Sequence, residues 1–154
     1  MELFLWRHAD ALPGMPDFER ELSPRGHKQA RRVAAWLKER APSGLRLLVS
    51  PATRTRQTVA YFHEDERGIQ FCPPLYESNS PEKILELFCW PDDNASPTLI
   101  VGHQPLIGEL ADYLLVDVPH PESFRKSALW WLRGEPGQKT AQLVQVVDGD
   151  MLKH

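Results

Sequence analysis

The chain has 154 residues, with 18 Lys and Arg against 21 Asp and Glu and a formal charge of −3. That length suits one domain spanning 1–154 with a real hydrophobic core, and 42% hydrophobic with 25% charged residues exclude a disordered or fibrous chain. No apolar run approaches the roughly 20 residues that cross a bilayer. The segment Met1 to Arg7 meets a charge almost at once and does not read as a signal peptide. Cys72 and Cys89 lack CxxC spacing, so a disulfide scaffold or zinc site is not expected, and reduced thiols in a cytoplasmic protein are.

In chain order, Glu2 to His8 reads as a short apolar strand, followed by a loop containing Pro13, Gly14 and Pro16. Ser23-Pro24 opens a helix, with Ser23 as N-cap and Pro24 in the first turn. Ala30, Val33, Ala34, Leu37 and Ala41 form its apolar face, and Pro42-Ser43-Gly44 stops it. Leu45 to Val49 reads as a second strand, and Ser50-Pro51 repeats the Ser-Pro helix start, with a helix to about His63. Ile69 to Cys72 suggests a short strand and Pro81 to Phe88 a short helix, with loops at Pro73-Pro74 and at 91–94. Thr98 to Gly102 is a buried strand, and Pro105 starts a helix whose face is Leu106, Ile107, Leu110, Ala111 and Leu114. Two closing strands, Ala128 to Leu132 and Gln142 to Val147, flank the Gly134 to Gly137 turn region. Strands alternating with helices imply an α/β fold, a mostly parallel or mixed sheet covered on both faces.

Charge is distributed unevenly. From Arg20 to Arg56 there are ten bases and two acids, +8, which leaves −11 over the remainder. Such a segment is read either as a rim for an anionic partner or as a solvated helix face. No aromatic interleaving or binding motif points to nucleic acid.

Three strand-to-helix junctions carry unusual polar residues: Arg7-His8, Ser50-Pro51 with Arg54 one turn on, and Gly102-His103-Gln104-Pro105. Ligands of open α/β sheets bind at the carboxyl ends of strands, and helix N-termini and guanidinium groups favour an anion there. Phosphate is the natural occupant. His8 and His103 have no second ligand at metal spacing, and neither a Gly-rich P-loop nor a GxSxG elbow is present.

Four segments resemble the histidine phosphatase superfamily, also called phosphoglycerate-mutase-like: Leu5-Trp6-Arg7-His8-Ala9, Leu22 to Ala30, Ser50 to Thr58, and Val101-Gly102-His103-Gln104-Pro105. Within it the chain looks most like the short SixA-type phosphohistidine phosphatases, from Arg7-His8-Ala9-Asp10-Ala11 and the brief interval between Glu77 and His103. The resemblance implies a three-layer α/β/α sandwich and a covalent mechanism with no cofactor or metal. His8 is then the nucleophile, with Arg7, Arg54 and His103 around the phosphoryl oxygens and Gln104 beside them. Phosphate proximity would raise the pKa of His103. Glu77 falls where relatives carry a general acid; Asp10 and Asp17 are its rivals. Ala9 replaces the usual Gly and would be strained only if φ were positive.

The expected substrate is a phosphorylated protein such as a histidine phosphotransfer domain. Alternatives are a small phosphoester, or a phosphate- or phosphopeptide-binding module without turnover. The expected protein is a monomer with no membrane or nucleic-acid partner. Arg56 is expected to face solvent or an acid, and Gln57 and Thr58 to buttress their helix. His27, His63, His120 and His154 are expected at the surface, and of Trp130 and Trp131 one ring inward and one outward.

Overall fold

A computed structural model describes residues 1–77, 79–90, 96–115, 124–135 and 137–152. Its elements run β1 (Glu2–Arg7), α1 (Pro24–Lys38), β2 (Arg46–Val49), α2 (Thr53–Ala60), β3 (Gln70–Phe71), α3 (Pro81–Leu87), β4 (Thr98–Gly102), α4 (Leu106–Leu114), β5 (Leu129–Gly134) and β6 (Ala141–Val147). The six strands make one mixed sheet in the order β3-β2-β4-β1-β5-β6. β3, β2, β4 and β1 are mutually parallel, while β5 and β6 add on antiparallel.

Period-two alternation sorts the strand side chains between two cores. Leu3 and Leu5 of β1, Leu48 and Ile100 face the layer of α3 and α4 with Ile84, Phe88, Leu106, Ile107 and Leu110. Phe4, Trp6, Leu47, Val49, Leu99 and Val101 face the opposite layer, where Val33, Ala34 and Leu37 of α1 and Val59 of α2 pack. This is the expected α/β/α arrangement. Among the described residues, no helix is long and apolar enough to cross a membrane.

The Ser-Pro signal at α1 works as anticipated: Ser23 Oγ accepts from Gly26 N at 3.0 Å and Pro24 opens the helix. The same dipeptide at 50–51 does something else. α2 starts later, at Thr53, with Ala52 in the cap position and no side-chain cap, and it ends at Ala60 rather than near His63. Ser50 is thereby released for another partner.

The tryptophan pair departs from expectation because β5 is not an edge strand. Trp130 is buried against Phe124, with ring centroids 4.5 Å apart, in the α3/α4 layer. Trp131 stacks on Phe4 at 5.4 Å and meets Trp36 edge-on, so the second ring is covered by the α1 layer. β6 forms the outer strand.

Much of the basic segment is engaged by the protein itself. Arg25 pairs with Asp150, Arg56 with Glu66 while lying over the Phe71 ring, and Arg46 reaches the Phe88 carbonyl. Lys28, Arg31 and Lys38 lie exposed on α1. His27 and His63 are partly buried rather than surface residues, and His27 Nδ1 lies 2.7 Å from the Tyr61 hydroxyl. His120, His154 and the loop expected at 91–94 lie outside the described residues.

α1 approaches the loop after β1 so closely that only a glycine fits at the contact. A Cβ on Gly26 would sit inside the van der Waals envelope of the Asp10 carbonyl oxygen, and Asp10 is two residues from His8. Gly26→Ala is expected to cost about 3 kcal/mol through overpacking. A urea midpoint matching the wild type would refute that contact.

Candidate active site

The sheet order brings together side chains that are distant in sequence. β4 lies between β1 and β2 and is parallel to both, with Arg7 opposite Gly102 and Val49 opposite Val101. The carboxyl ends of the three strands are therefore level. The ladder continues one step beyond the strands, with His8 N donating to Gly102 O and Ser50 N to Val101 O, each at 3.0 Å. His8, Ser50 and His103 consequently occupy one rim, at the place where ligands bind in open α/β sheets.

His8 is 8% exposed. Its Nδ1 is 2.7 Å from the Ala9 carbonyl oxygen, and its Nε2 is 3.4 Å from Nε of Arg54. A carbonyl can only accept and a guanidinium only donate, so Nδ1 carries the proton and Nε2 presents its lone pair. Burial lowers the His8 pKa to about 3, against the opposing hydrogen bond to Ala9, with further lowering from His103, Arg54 and Arg7. At neutral pH the imidazole is uncharged. Ala9 does not have a positive φ, so its substitution for glycine introduces no strain of that kind. Its N–H donates to Thr58 Oγ1 at 3.1 Å, and Thr58 in turn donates to the Arg54 carbonyl. Thr58 thus ties α2 to the His8 loop.

The His103 ring centroid is 5.2 Å from that of His8. Its Nε2 is 2.7 Å from Ser50 Oγ, while Nδ1 is buried with no hydrogen-bond partner among the described residues. A hydroxyl can donate or accept, so this contact leaves the tautomer open; with Ser50 donating to Nε2, or with the ring doubly protonated, Nδ1 would be a donor seeking an acceptor. Burial, then Arg54, lowers the His103 pKa to about 4, with Asp17 acting in the opposite direction. The protein's own groups therefore shift it downward; the rise expected beside phosphate concerns a different partner. Ser50 was legible only as a helix cap; its location at a strand end, like those of His8 and His103, was the available signal.

Arg7 donates through NH1 to the Phe124 carbonyl at 2.8 Å, while its buried Nε has no partner among the described residues. Desolvation lowers its pKa. Arg54, 7% exposed, sits in the first turn of α2. Its NH1 and NH2 donate to the backbone oxygen and Oδ2 of Asp17, at 2.9 and 3.1 Å. Two arginines and two histidines thus converge, with Nε of Arg7 and Nδ1 of His103 unpaired among the described residues. Buried unpaired polar atoms are expensive, and guanidinium and imidazole N–H groups are donors of the kind that an oxyanion accepts from.

The remaining candidates divide. Glu77 is exposed, and none of the described contacts ties its side chain to either histidine. Its neighbour Tyr76, not anticipated from sequence, packs edge-to-face on His103 with centroids 5.5 Å apart and donates from its hydroxyl to Asp17 Oδ2 at 2.8 Å. Asp10 receives Ser23 Oγ at 2.6 Å and Lys126 Nζ at 2.8 Å, and the Lys126 bond leads in lowering its pKa. Asp17 is lowered to about 2, first by Tyr76 and then by Arg20 and Arg54. Both aspartates are carboxylates at neutral pH and hold no proton to donate. Gln104 Oε1 accepts from Gly108 N at 2.7 Å, securing the first turn of α4. Among the described residues, no group of three His, Cys, Asp or Glu side chains is arranged to hold a metal ion.

The two depressed histidines make stability depend on pH with a definite sign. The unfolded chain takes up protons below about pH 6.5, whereas the folded site resists them until about pH 3 to 4. Their contribution is fully present above pH 6.5 and is lost as pH falls, by up to about 1.4 kcal/mol per pH unit for each histidine. The urea midpoint is expected to fall between pH 7 and pH 5, and to fall less in His8→Gln. Equal slopes for the two proteins would contradict the burial of a neutral His8.

Residues 3–80 match the model of the histidine phosphatase superfamily (branch 1). An uncharacterised protein of Mycobacterium tuberculosis is 36% identical over 107 residues, covering 68% of this chain; that match takes in 66% of the relative, just under two thirds of its length. The phosphohistidine phosphatase SixA of Escherichia coli is 30% identical over 120 residues, 71% of each chain. Among solved structures, the protein histidine phosphatase SixA complexed with tungstate superposes with a TM-score of 0.85 at 25% identity, covering 99% of this chain and 100% of the other. A putative SixA from Nakamurella multipartitia gives 0.77 at 27% identity, covering 95% and 94%. A family model spanning half the chain, together with the level strand ends that carry Arg7, His8 and His103 and the first turn of α2 that carries Arg54, identifies this protein as a member of the histidine phosphatase superfamily.

Proposed function

We propose that the chain is a phosphatase that works through a covalent phosphohistidine on His8, with protein phosphohistidine as its substrate. The observation that carries the reading is the state of His8: uncharged, its Nδ1 proton committed to Ala9, and its Nε2 lone pair turned toward Arg54 beside His103 and Arg7. A binding module needs cations around a phosphate; it does not need a buried nucleophile in the reactive tautomer.

In the first step Nε2 of His8 bonds to phosphorus as the bond from phosphorus to the leaving group breaks. Nε of Arg7, the guanidinium of Arg54 and Nδ1–H of His103 are the donors for the phosphoryl oxygens. Preorganised charge of this kind supplies most of the catalysis in phosphoryl transfer. Water then attacks phosphorus, the Nε2–P bond breaks, and inorganic phosphate leaves with His8 neutral again. A bound phosphate dianion offsets the repulsion that Arg54 and Arg7 impose on a charged His103 and so favours its protonation.

The phosphohistidine substrate draws support from two features. A protonated imidazole is a good leaving group, which suits a site whose aspartates are both ionised and whose Glu77 is exposed. The similar E. coli and tungstate-bound proteins carry that activity in their names. By the same reading Glu77 has little acid work to do.

Rapid quench with a labelled phosphodonor tests the intermediate. Acid-labile label is expected on the wild type and absent from His8→Ala, and no label on the wild type would end the covalent reading. Phosphate release from a phosphorylated histidine phosphotransfer domain is expected to exceed release from small phosphoesters; the opposite preference would move the assignment to a small phosphoester. Glu77→Gln is expected to alter turnover of aryl phosphates less than about twofold at every leaving group, whereas a loss that grows with leaving-group pKa would make Glu77 the acid.

A further inference from the structure

The loop after β1 reaches back over the site and joins its two halves through residues that do not touch the reacting atoms. We propose that Asp17 and Tyr76 are positioning residues: together they hold the Arg54 guanidinium turned toward His8 and seat the His103 ring. The proposal rests on the phosphatase reading above and adds two members to its machinery.

Arg54 arrives from α2 on a long side chain whose last torsions would leave its planar end free to rotate. Its NH1 and NH2 both bond to Asp17, one to the backbone oxygen and one to Oδ2. Two bonds to one residue fix the plane of the fork and leave Nε pointing at Nε2 of His8. Asp17 is itself pinned: Arg20 NH1 donates to its Oδ1 at 3.1 Å while Arg20 Nε holds the Leu12 carbonyl at 2.9 Å. The Tyr76 hydroxyl completes the set on Oδ2. The Tyr76 ring stands edge-on to Phe18 on one side, at 5.0 Å and 89°, and to His103 on the other, at 5.5 Å and 77°. One chain of contacts, Arg54 to Asp17 to Tyr76 to His103, therefore spans four separate segments of the fold.

Two other uses of Asp17 fit less well. A surface ion pair would tolerate loss of either partner, but here the arginine is 7% exposed and its counter-charge comes from Asp17. A proton donor would have to be protonated near neutral pH, and this carboxylate, gripped by three donors, is not.

The test compares wild type with Asp17→Asn, Tyr76→Phe and the double variant. With aryl phosphates of graded leaving-group pKa, kcat is expected to fall about tenfold in Asp17→Asn and about threefold in Tyr76→Phe, because small displacements of a catalytic group are costly. The loss should be uniform across the series, with KM changed less than about twofold, and the double variant should be no worse than Asp17→Asn because the two residues act in one chain. Independently of turnover, hydrogen exchange at Arg54 Nε, followed by nitrogen-15 NMR on the unliganded protein at pH 7, is expected to be at least about tenfold faster in Asp17→Asn than in wild type. Losses that grow with leaving-group pKa would make Asp17 an acid, and unchanged Arg54 exchange would remove the clamp. If the wild type shows no phosphoenzyme and no turnover, the phosphatase reading fails while the exchange comparison still decides whether Asp17 orders Arg54. Should Asp17→Asn not fold, Tyr76→Phe, which deletes one hydroxyl, carries the same two readouts.

Discussion

β4 hydrogen-bonds to β1 on one side and to β2 on the other, and the candidate site depends on that pairing. Parallel strands in register end at the same height, so the residues immediately after them must share a rim. The added hydrogen bonds His8 N to Gly102 O and Ser50 N to Val101 O hold those residues in the ladder and deny them the freedom of a loop. Side chains placed by a sheet are placed more accurately than side chains carried on loops. Beneath the rim, alternating Leu3, Phe4, Leu5 and Trp6 anchor β1 in both cores at once, so the strand cannot slip by one residue without exchanging its two faces.

The same rim is largely buried, and burial sets its electrostatics. Burial alone leads the lowering of both histidines and of Arg7, ahead of any partner. The site is thus cationic through its arginines while the imidazoles stay neutral, a division that keeps a nucleophile available beside charges that attract an anion. The aspartates behave in the reverse sense. Asp10 and Asp17 stay ionised because hydroxyls and cations bond to them, and each is thereby turned from acid chemistry toward holding a loop: Asp10 to Ser23 and Lys126, Asp17 to Arg20, Arg54 and Tyr76.

Much of this was legible in the chain itself, for identifiable reasons. The α/β alternation, the Ser23 cap, the span of β4 and the three polar junctions follow from local periodicity and capping chemistry, which neighbouring residues encode. Ser50 was misjudged because Ser-Pro is an equally good local signal for a helix start; its true partner, His103, is 53 residues away. Tyr76 was overlooked in favour of Glu77 because an acid is the more obvious chemistry, although the aromatic ring is what reaches the site. One ring of the Trp130–Trp131 pair was expected outward because nothing local says that β6 will cover the edge of β5 or that Trp36 will meet the Trp131 ring.

The uneven charge shows the division most clearly. Composition determined a globular chain, and residue order determined the α/β alternation and which arginines and histidines stand at strand-to-helix junctions. Tertiary structure decided that Arg54 faces His8 while Arg25, Arg46 and Arg56 are engaged elsewhere by Asp150, the Phe88 carbonyl and Glu66. It also decided the charge state of the His8 and His103 imidazoles. Sequence specifies which groups exist and the periodicity that orients them locally. Whether a group is dry, paired or aimed at another depends on contacts between segments, and those exist only once the sheet has set β4 between β1 and β2.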